Sequence, residues 1–307
     1  MKRENIIVGK GTNYPLHGLL TLPDDTTKPV PAVVFVHGSG ASNMDEKVGE
    51  LTPFKDLAEG LAAYGIASVR YDKRSFAYGR KMLKEKNITV KEETIEDAVR
   101  ATQLLRKDGR IDRNRIFIVG HSMGAMLAPR IDAQGGNYCG LILMAGSPYK
   151  LEDIILRQNE QALGGLNKLL RFIATKQVSK MKKNFAGLYE LTDEEAKKRK
   201  FAGGTTLYYF KEMGEHAAPG YLKRRQKPLL ILQGEKDFQA TAAEDFAGYK
   251  TLLEGRENVS FKLYPGLNHA FVTALSDDIN KARKEYAEER HIGEKVIGDI
   301  ARWILEN

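Results

Sequence analysis

The stretch Arg115-Ile-Phe-Ile-Val-Gly-His-Ser-Met-Gly124 decides the fold of this chain. Its first half is a short apolar run that predicts a buried strand, and its second half has the pattern Gly-x-Ser-x-Gly, after which a short apolar helix follows. A strand that turns directly into a helix between two glycines places Ser122 on a tight turn, with its hydroxyl projecting beyond the sheet. The N–H groups at the start of the helix favour a negative charge there. This context predicts a nucleophilic serine.

Strand and helix patterns alternate along much of the remaining chain. Buried strands are predicted at 32–36, 66–71, 115–119, 138–145, 227–233 and 259–264. Strands that alternate with helices indicate crossover connections and a mostly parallel sheet. Because the apolar runs are continuous, helices are expected to cover both faces of that sheet. Residues 6–8 and 19–22 predict an antiparallel hairpin at its edge. The fold class is therefore α/β, with a mostly parallel sheet flanked by helices.

Residues 148–225 interrupt this alternation, and we call them the lid segment. Their patterns predict helices at 151–163, 166–189 and 192–200, and no convincing buried strand. We expect a helical lid inserted into a core made of residues 1–147 and 226–307. The lid segment contains 16 Lys/Arg and 9 Asp/Glu, a net charge of +7 out of the chain's +8. Without zinc-finger spacing or an aromatic-basic RNA motif, this charge favours a solvated helical surface over a nucleic-acid site.

Composition narrows the class of protein further. The chain has 307 residues, of which 42% are hydrophobic and 29% charged, as expected of a globular protein. Its apolar runs are too short for a membrane helix, and the first residues show no secretory signal. The single cysteine, Cys139, excludes an internal disulfide and fits a reducing compartment. We therefore expect a cytoplasmic protein without nucleic-acid or membrane partners, and we leave a homodimer open. No His/Cys cluster has metal-ligand spacing, so we expect no metal or cofactor.

A serine hydroxyl needs a general base near neutral pH, and the sequence offers six histidines. His269 lies in the loop Tyr264-Pro-Gly-Leu-Asn-His269, directly after the last predicted strand, where catalytic loops of parallel sheets occur. His291 lies in a charged helical stretch and His216 in the lid segment. We therefore predict His269 as the base.

The acid that orients this base should lie between the serine and the histidine in the chain. The segment Gln233-Gly-Glu-Lys-Asp237 follows a predicted strand and contains two carboxylates. We predict Asp237 as the acid, with Glu235 as the alternative. As an isolated residue, Asp237 could equally cap the helix predicted after it.

Two backbone N–H groups should stabilise the oxyanion that forms when the serine attacks. One belongs to Met123, the residue after the serine. The other is expected from the loop His37-Gly-Ser-Gly40, at Ser39, with Gly38 and Gly40 as alternatives. His37 is expected to hold this loop by a local hydrogen bond.

Charged residues near two strand ends are expected to anchor these loops. Tyr71-Asp-Lys-Arg74 predicts a salt-bridged loop that frames the site, and Asp45 and Glu46 are predicted loop anchors.

Taken together, HGSG at 37–40, GHSMG at 120–124, QGEKD at 233–237 and YPGLNHAF at 264–271 resemble the bacterial EstD-type carboxylesterases of the α/β-hydrolase superfamily. These are related to dienelactone-hydrolase-like and serine-peptidase-like members. The resemblance covers roughly residues 30–150 and 225–307. It implies Ser122 as nucleophile, Asp237 as acid and His269 as base, and it implies that the insertion corresponds to the family's lid. A serine rather than a cysteine at position 122 argues against dienelactone hydrolysis itself.

The sequence predicts a serine carboxylesterase acting on short-to-medium acyl or aryl esters of small molecules. An apolar aromatic cluster follows Gly203-Gly204 in the lid segment and is a candidate for substrate binding. It comprises Tyr208, Tyr209, Phe210 and Met213. Lid packing is the alternative role for this cluster. Alternative functions are a thioesterase, an aminopeptidase-like hydrolase that would need carboxylates such as Glu190, Glu194 or Glu195, and a non-catalytic binding protein.

Overall fold

The computed structural model describes residues 1–82, 84–85, 87–201 and 204–307. Gly203, which precedes the aromatic cluster, lies outside the described residues. The described chain forms one eight-stranded sheet. Its strands are β1 Lys2–Val8, β2 Leu16–Leu22, β3 Val30–Val36, β4 Ala67–Tyr71, β5 Ile111–His121, β6 Leu141–Met144, β7 Leu229–Gly234 and β8 Val259–Tyr264.

The strand order across the sheet is β1-β2-β4-β3-β5-β6-β7-β8. From β4 to β8 all neighbouring strands are parallel, whereas β2 runs antiparallel to both β1 and β4. The predicted edge hairpin and the mostly parallel sheet are thus confirmed. Because the carboxyl ends of β3, β5, β6, β7 and β8 lie at one edge of the sheet, the loops that follow them meet there.

Helices cover both faces of the sheet, as the continuous apolar strands predict. They are α1 Pro53–Ala63, α2 Arg74–Met82, α3 Glu96–Lys107, α4 Met123–Ile131, α5 Leu151–Leu163, α6 Lys168–Phe185, α7 Asp193–Lys198, α8 Leu207–Glu215, α9 Ala218–Arg224, α10 Ala247–Leu252, α11 Ala282–Glu285 and α12 Glu294–Glu306. Alternate residues of each strand enter different cores. Val34 packs on the face covered by α3 and α4, and Phe35 packs on the face covered by α1 and α12.

The lid segment contributes α5 to α9, which lie between β6 and β7 in the chain. Its described residues form no strand, only an isolated bridge between Lys200 and Thr206. The pattern Thr192-x-x-Glu195 is typical of a capping box at the start of a helix. This capping box is formed, since the Thr192 hydroxyl accepts the Glu195 N–H while the Glu195 carboxylate accepts from the Thr192 backbone. No helix in the described ranges is long and apolar enough to cross a membrane.

Several boundaries differ from the sequence-based expectations. β5 begins at Ile111 rather than 115, because Ile111 pairs with Val30 on β3 although the residues after it are polar. The pair Thr52-Pro53 is typical of a capping residue followed by the first helical position. Thr52 precedes α1 but makes no capping hydrogen bond through its side chain, whereas Pro53 does occupy the first turn. Strand pairing therefore determines where β5 begins, and the geometry of proline determines where α1 begins. Side-chain polarity alone predicts these two ends less well.

Cys139 lies just before β6, at the amino ends of the parallel strands. Its Sγ is 3.5 Å from the carbonyl oxygen of Asn307 at the end of the chain. The cysteine is therefore at the opposite edge of the sheet from the loops that follow the strands.

The turn between β5 and α4 is sterically tight. Ser122 has φ 53 and ψ −119, a backbone conformation that residues with a side chain rarely adopt. Its two flanking glycines allow this turn. A Cβ atom on Gly120 would lie 2.3 Å from the Gly124 carbonyl oxygen, and one on Gly124 would lie 2.1 Å from the Val36 carbonyl oxygen.

Replacing Gly124 with alanine should therefore destabilise the fold strongly. We expect Gly124→Ala to lower the free energy of unfolding by more than about 3 kcal/mol, because backbone atoms of β3 cannot move away without breaking the sheet. The midpoint of urea unfolding measures this. Gly109→Ala is the control, since a Cβ there meets nothing within 4 Å. If both variants unfolded at the same urea concentration, the steric account of this turn would be wrong.

Candidate active site

Ser122 lies on the β5–α4 turn, at the edge of the sheet where the parallel strands end. It faces a cavity of about 1340 Å³ between the sheet edge and the lid segment. The Ser122 N–H donates to the Met144 carbonyl oxygen of β6 at 2.9 Å, which fixes the turn against the neighbouring strand. The turn therefore holds this serine at the cavity wall.

His269 lines the same cavity, on the loop after β8. Its Nδ1 is 2.7 Å from Oδ2 of Asp237, on the loop after β7. The Asp237 carboxylate also accepts hydrogen bonds from Gln233 Nε2 and from the N–H groups of Gln239 and Ala240. A buried carboxylate held in this way can orient an imidazole and stabilise its protonated form. Among the described residues His269 Nε2 has no hydrogen-bond partner. This nitrogen is therefore free to exchange a proton with a group in the cavity.

The alternative acid and bases lie elsewhere. The Glu235 carboxylate accepts the Gly266 N–H at 3.0 Å and does not contact His269. His291 is 62% exposed and bonds to Asp56, and His216 contacts Tyr221 within the lid segment. The cap of the following helical turn is Thr241, not Asp237. Of the predicted candidates, the structure brings Ser122, Asp237 and His269 to one place.

The loop after β3 passes directly beside Ser122. A Cβ atom on Gly38 would lie 3.1 Å from the Ser122 Cβ. The Gly38 N–H donates to Glu46 Oε1 at 2.7 Å, so it is occupied. Within the described ranges, the N–H groups of Ser39 and Met123 make no hydrogen bond. These two groups are therefore available to an oxyanion, whereas Gly38 is not.

Glu46 also connects this loop to the His269 loop through His121. Its Oε2 is 3.0 Å from His121 Nδ1, and His121 Nε2 is 2.9 Å from the His269 carbonyl oxygen. Burial opposes the charge on both side chains, but their mutual attraction raises the pKa of His121 and lowers the pKa of Glu46. Glu46 is thus the loop anchor that was predicted. His121 had no predicted role, because its partners come from distant parts of the chain.

His37 holds the same loop from the core side, as expected. Its Nε2 is 2.9 Å from the Asn43 carbonyl oxygen, and its ring packs against Phe54 and Tyr71. Burial lowers the pKa of His37 to about 4, so its imidazole is neutral near neutral pH.

The segment 71–74 forms the salt-bridged loop that was predicted. Arg74 makes two hydrogen bonds to the Asp97 carboxylate, at 2.7 and 2.8 Å. Lys73 donates to the Gly38 carbonyl oxygen at 2.9 Å and lies 3.3 Å from Glu93 Oε1. Glu93 was not singled out by the sequence, because one glutamate among several in a polar stretch has no pattern that indicates burial beside a lysine.

The aromatic cluster is only partly at the cavity. Tyr209 and Phe210 line it, but Tyr208 and Met213 do not. The Tyr208 ring lies under the Lys197 ammonium at 4.9 Å, and Met213 is buried in the core. This corrects the expectation that all four residues bind substrate, since successive residues of α8 point in different directions. The other apolar residues of the cavity wall include Met123, Met126, Leu151, Ile154 and Phe201.

Comparison with known proteins gives the family. The model of the Alpha/beta hydrolase family matches residues 33–282. The chain belongs to this family. The matched range includes the Ser122 turn and both loops that carry Asp237 and His269.

An alpha/beta hydrolase relative confirms the resemblance predicted from the motifs. The chain is 33% identical to Esterase EstD of Thermotoga maritima over 293 residues, which is 95% of this chain. The aligned part spans 66% of the length of that esterase.

Solved structures show the same fold. Est1E from Butyrivibrio proteoclasticus has a TM-score of 0.57 at 14% identity, covering 98% of each chain. Dienelactone hydrolase from Anabaena variabilis has a TM-score of 0.56 at 14% identity, covering 99% of this chain and 97% of that one. At these identities, the similarity concerns the fold alone.

The buried neutral imidazole of His37 predicts a pH dependence of stability. Between pH 6.5 and 4 the unfolded chain binds a proton on this histidine that the folded chain does not, so the free energy of unfolding falls as the pH falls. As the pH falls from 6.5 to 4, His37 should lower the free energy of unfolding by about 3 kcal/mol. Urea unfolding of the wild type and His37→Gln across this range measures it, with exposed His17→Gln as control. Parallel profiles for the wild type and His37→Gln would contradict the assignment.

Proposed function

We propose that this alpha/beta hydrolase is a serine carboxylesterase that hydrolyses short-to-medium acyl or aryl esters. The observation that carries the proposal is the 2.7 Å contact between His269 and Asp237 beside the cavity that Ser122 also faces. The similarity to Esterase EstD supports the same reaction class.

In the proposed reaction, His269 Nε2 removes the proton from Ser122 as its Oγ attacks the ester carbonyl carbon. The carbonyl oxygen becomes an oxyanion, which accepts hydrogen bonds from the N–H groups of Ser39 and Met123. Collapse of this intermediate breaks the ester bond, and His269 gives its proton to the leaving alcohol. Water then attacks the acyl-enzyme while His269 takes its proton, and His269 passes this proton to Ser122 Oγ as the acyl–serine bond breaks and the acid is released. Asp237 stabilises the imidazolium at each stage.

The cavity suits an acyl or aryl group better than a peptide amine. Its wall beside Ser122 is apolar, through Met123, Met126 and Leu151. Of the three lid carboxylates that an aminopeptidase-like enzyme could use, only Glu194 lines the cavity, and it is paired with Lys197. None of these three carboxylates is therefore free at the cavity to hold a substrate amine.

Ser122→Ala should abolish ester hydrolysis without unfolding the protein. We expect kcat for p-nitrophenyl butyrate to fall by at least about 10³-fold, because no other group can form the acyl-enzyme. A fluorophosphonate probe should label the wild type and not the variant.

The matched control is Ser179→Ala, which removes an exposed hydroxyl on α6 and should keep both activity and labelling. Full activity of Ser122→Ala would overturn the proposed function. A wild type that neither hydrolyses esters nor reacts with the probe would indicate a non-catalytic binding protein instead.

Some of the lysines that line the cavity lack an ion-pair partner in the described part of the chain. Lys84, Lys198 and Lys200 line the cavity and form no ion pair with any residue in the described ranges. Each carboxylate at the cavity is already bonded to a protein group. These carboxylates are Glu46, Glu85, Glu93 and Glu194. We infer that esters bearing a second, anionic group are favoured, because the exposed lysines attract it.

This inference predicts a salt dependence. The kcat/KM for an anionic ester, p-nitrophenyl hemisuccinate, should fall about 3- to 10-fold between low and high salt, whereas that for neutral p-nitrophenyl butyrate should change little. The double variant Lys198→Gln, Lys200→Gln should lose this dependence, and Lys180→Gln on α6 should keep it. Equal salt responses for both esters would exclude a role for the lysines that line the cavity.

A further inference from the structure

Gly38 is held from both sides by buried charged side chains. Its N–H donates to the Glu46 carboxylate at 2.7 Å, and its carbonyl oxygen accepts from the Lys73 ammonium at 2.9 Å. The Lys73 side chain is 2% exposed, although lysine is rarely buried because its charge is costly to remove from water. Packing alone does not explain why a charged ammonium is buried here and bonded to the Gly38 carbonyl oxygen.

The bonded carbonyl belongs to the same peptide group as the Ser39 N–H. A peptide group is planar, and in the trans form its C=O and N–H point in opposite directions. Fixing the Gly38 carbonyl oxygen therefore fixes the direction of the Ser39 N–H. Because the Ser39 N–H makes no hydrogen bond within the described ranges, it is free to donate to a substrate oxygen.

The positive charge of the Lys73 ammonium, which lies beside the Gly38 carbonyl oxygen, also polarises the peptide group. It draws electron density toward the oxygen, so the N–H at the other end becomes a stronger hydrogen-bond donor. In a water-poor site this effect is larger than in solution, because the charge is weakly screened. The polarisation should matter most when the acceptor is itself negatively charged.

From this geometry we propose that Lys73 is a positioning residue of the oxyanion hole, which aims and polarises the Ser39 N–H through the Gly38–Ser39 peptide group. The inference rests on the proposed function, since it needs an oxyanion beside Ser122. Lys73 does not touch the reacting atoms and acts only through this peptide group.

Lys73 is in turn connected to the lid segment. Glu93 Oε1 is 3.3 Å from its ammonium, and Glu93 Oε2 accepts the Tyr209 hydroxyl at 2.7 Å. Burial alone would raise the pKa of Glu93, but the Lys73 charge and the Tyr209 hydrogen bond bring it below its usual value, so the carboxylate is ionised. The ammonium is thus held between an anion and the Gly38 carbonyl oxygen, which fixes its position without a contact to solvent.

The test separates transition-state stabilisation from general damage. Lys73→Met keeps an unbranched apolar side chain and removes the charged ammonium, and Lys73→Gln keeps a hydrogen-bond donor without the charge. For each variant we would measure kcat and KM for p-nitrophenyl butyrate. We would also measure the inhibition constants of a trifluoromethyl ketone, which forms a tetrahedral anion on the serine, and of the matching methyl ketone, which remains a weak ground-state ligand.

We expect Lys73→Met to lower kcat and the affinity for the trifluoromethyl ketone by about 10- to 100-fold, less than the loss of a direct oxyanion donor. KM and the affinity for the methyl ketone should stay within about twofold. The kcat of Lys73→Gln and its affinity for the trifluoromethyl ketone should lie between those of the wild type and those of Lys73→Met. The matched control is Lys211→Met, which removes another buried lysine, paired with Asp193 and Glu215 in the lid segment, and should leave all four constants unchanged.

Two results would overturn the inference. One is a folded Lys73→Met whose kcat and trifluoromethyl ketone affinity stay within twofold of the wild type. The other is an equal loss of affinity for both ketones, which indicates a distorted cavity instead of a weakened oxyanion donor. If Lys73→Met does not fold, the same criteria apply to Lys73→Gln. An active Ser122→Ala would instead overturn the proposed function, and this inference with it.

Discussion

The strained backbone of Ser122 is the constraint around which the site is arranged. A non-glycine residue at φ 53 is disfavoured by itself, so the surrounding structure must enforce it. Enforcement comes from the Ser122 N–H bond to Met144 on β6 and from the close approach of α4 to β3, which only a glycine at position 124 permits. The central strands thus determine where this hydroxyl lies, and the loops that carry the other polar groups are arranged relative to it.

Buried charged groups connect those loops to one another. Glu46 joins the loop after β3 to His121 and, through it, to the His269 loop, while Lys73 and Glu93 join the same loop to Tyr209 of the lid segment. Such pairs contribute little net stability, because desolvation offsets much of their attraction. They do fix directions, however, since each charged group here bonds to a particular backbone or side-chain atom. The site is therefore held by a polar framework between segments that are far apart in sequence.

Much of this could be predicted from the sequence, because the relevant signals are local. The apolar strands, the Gly-x-Ser-x-Gly turn and the loops around Asp237 and His269 each lie within a few residues, and chain order links them. The burial of Lys73 could not be foreseen, since it depends on contacts with Gly38 and Glu93. Nor could the orientations of Tyr208 and Met213, because a cluster of apolar residues on a short helix does not specify which face meets the cavity. The features that could not be predicted are those that depend on contacts between distant parts of the chain.

The position of Cys139 makes it a suitable site for attaching a spectroscopic label. Its thiol lies before β6, beside the carboxyl terminus of the chain and at the far edge of the sheet from Ser122. A maleimide dye or spin label attached there would report on the docking of α12 while leaving the cavity beside Ser122 untouched. Because the sequence contains a single cysteine, labelling would be uniform without mutagenesis.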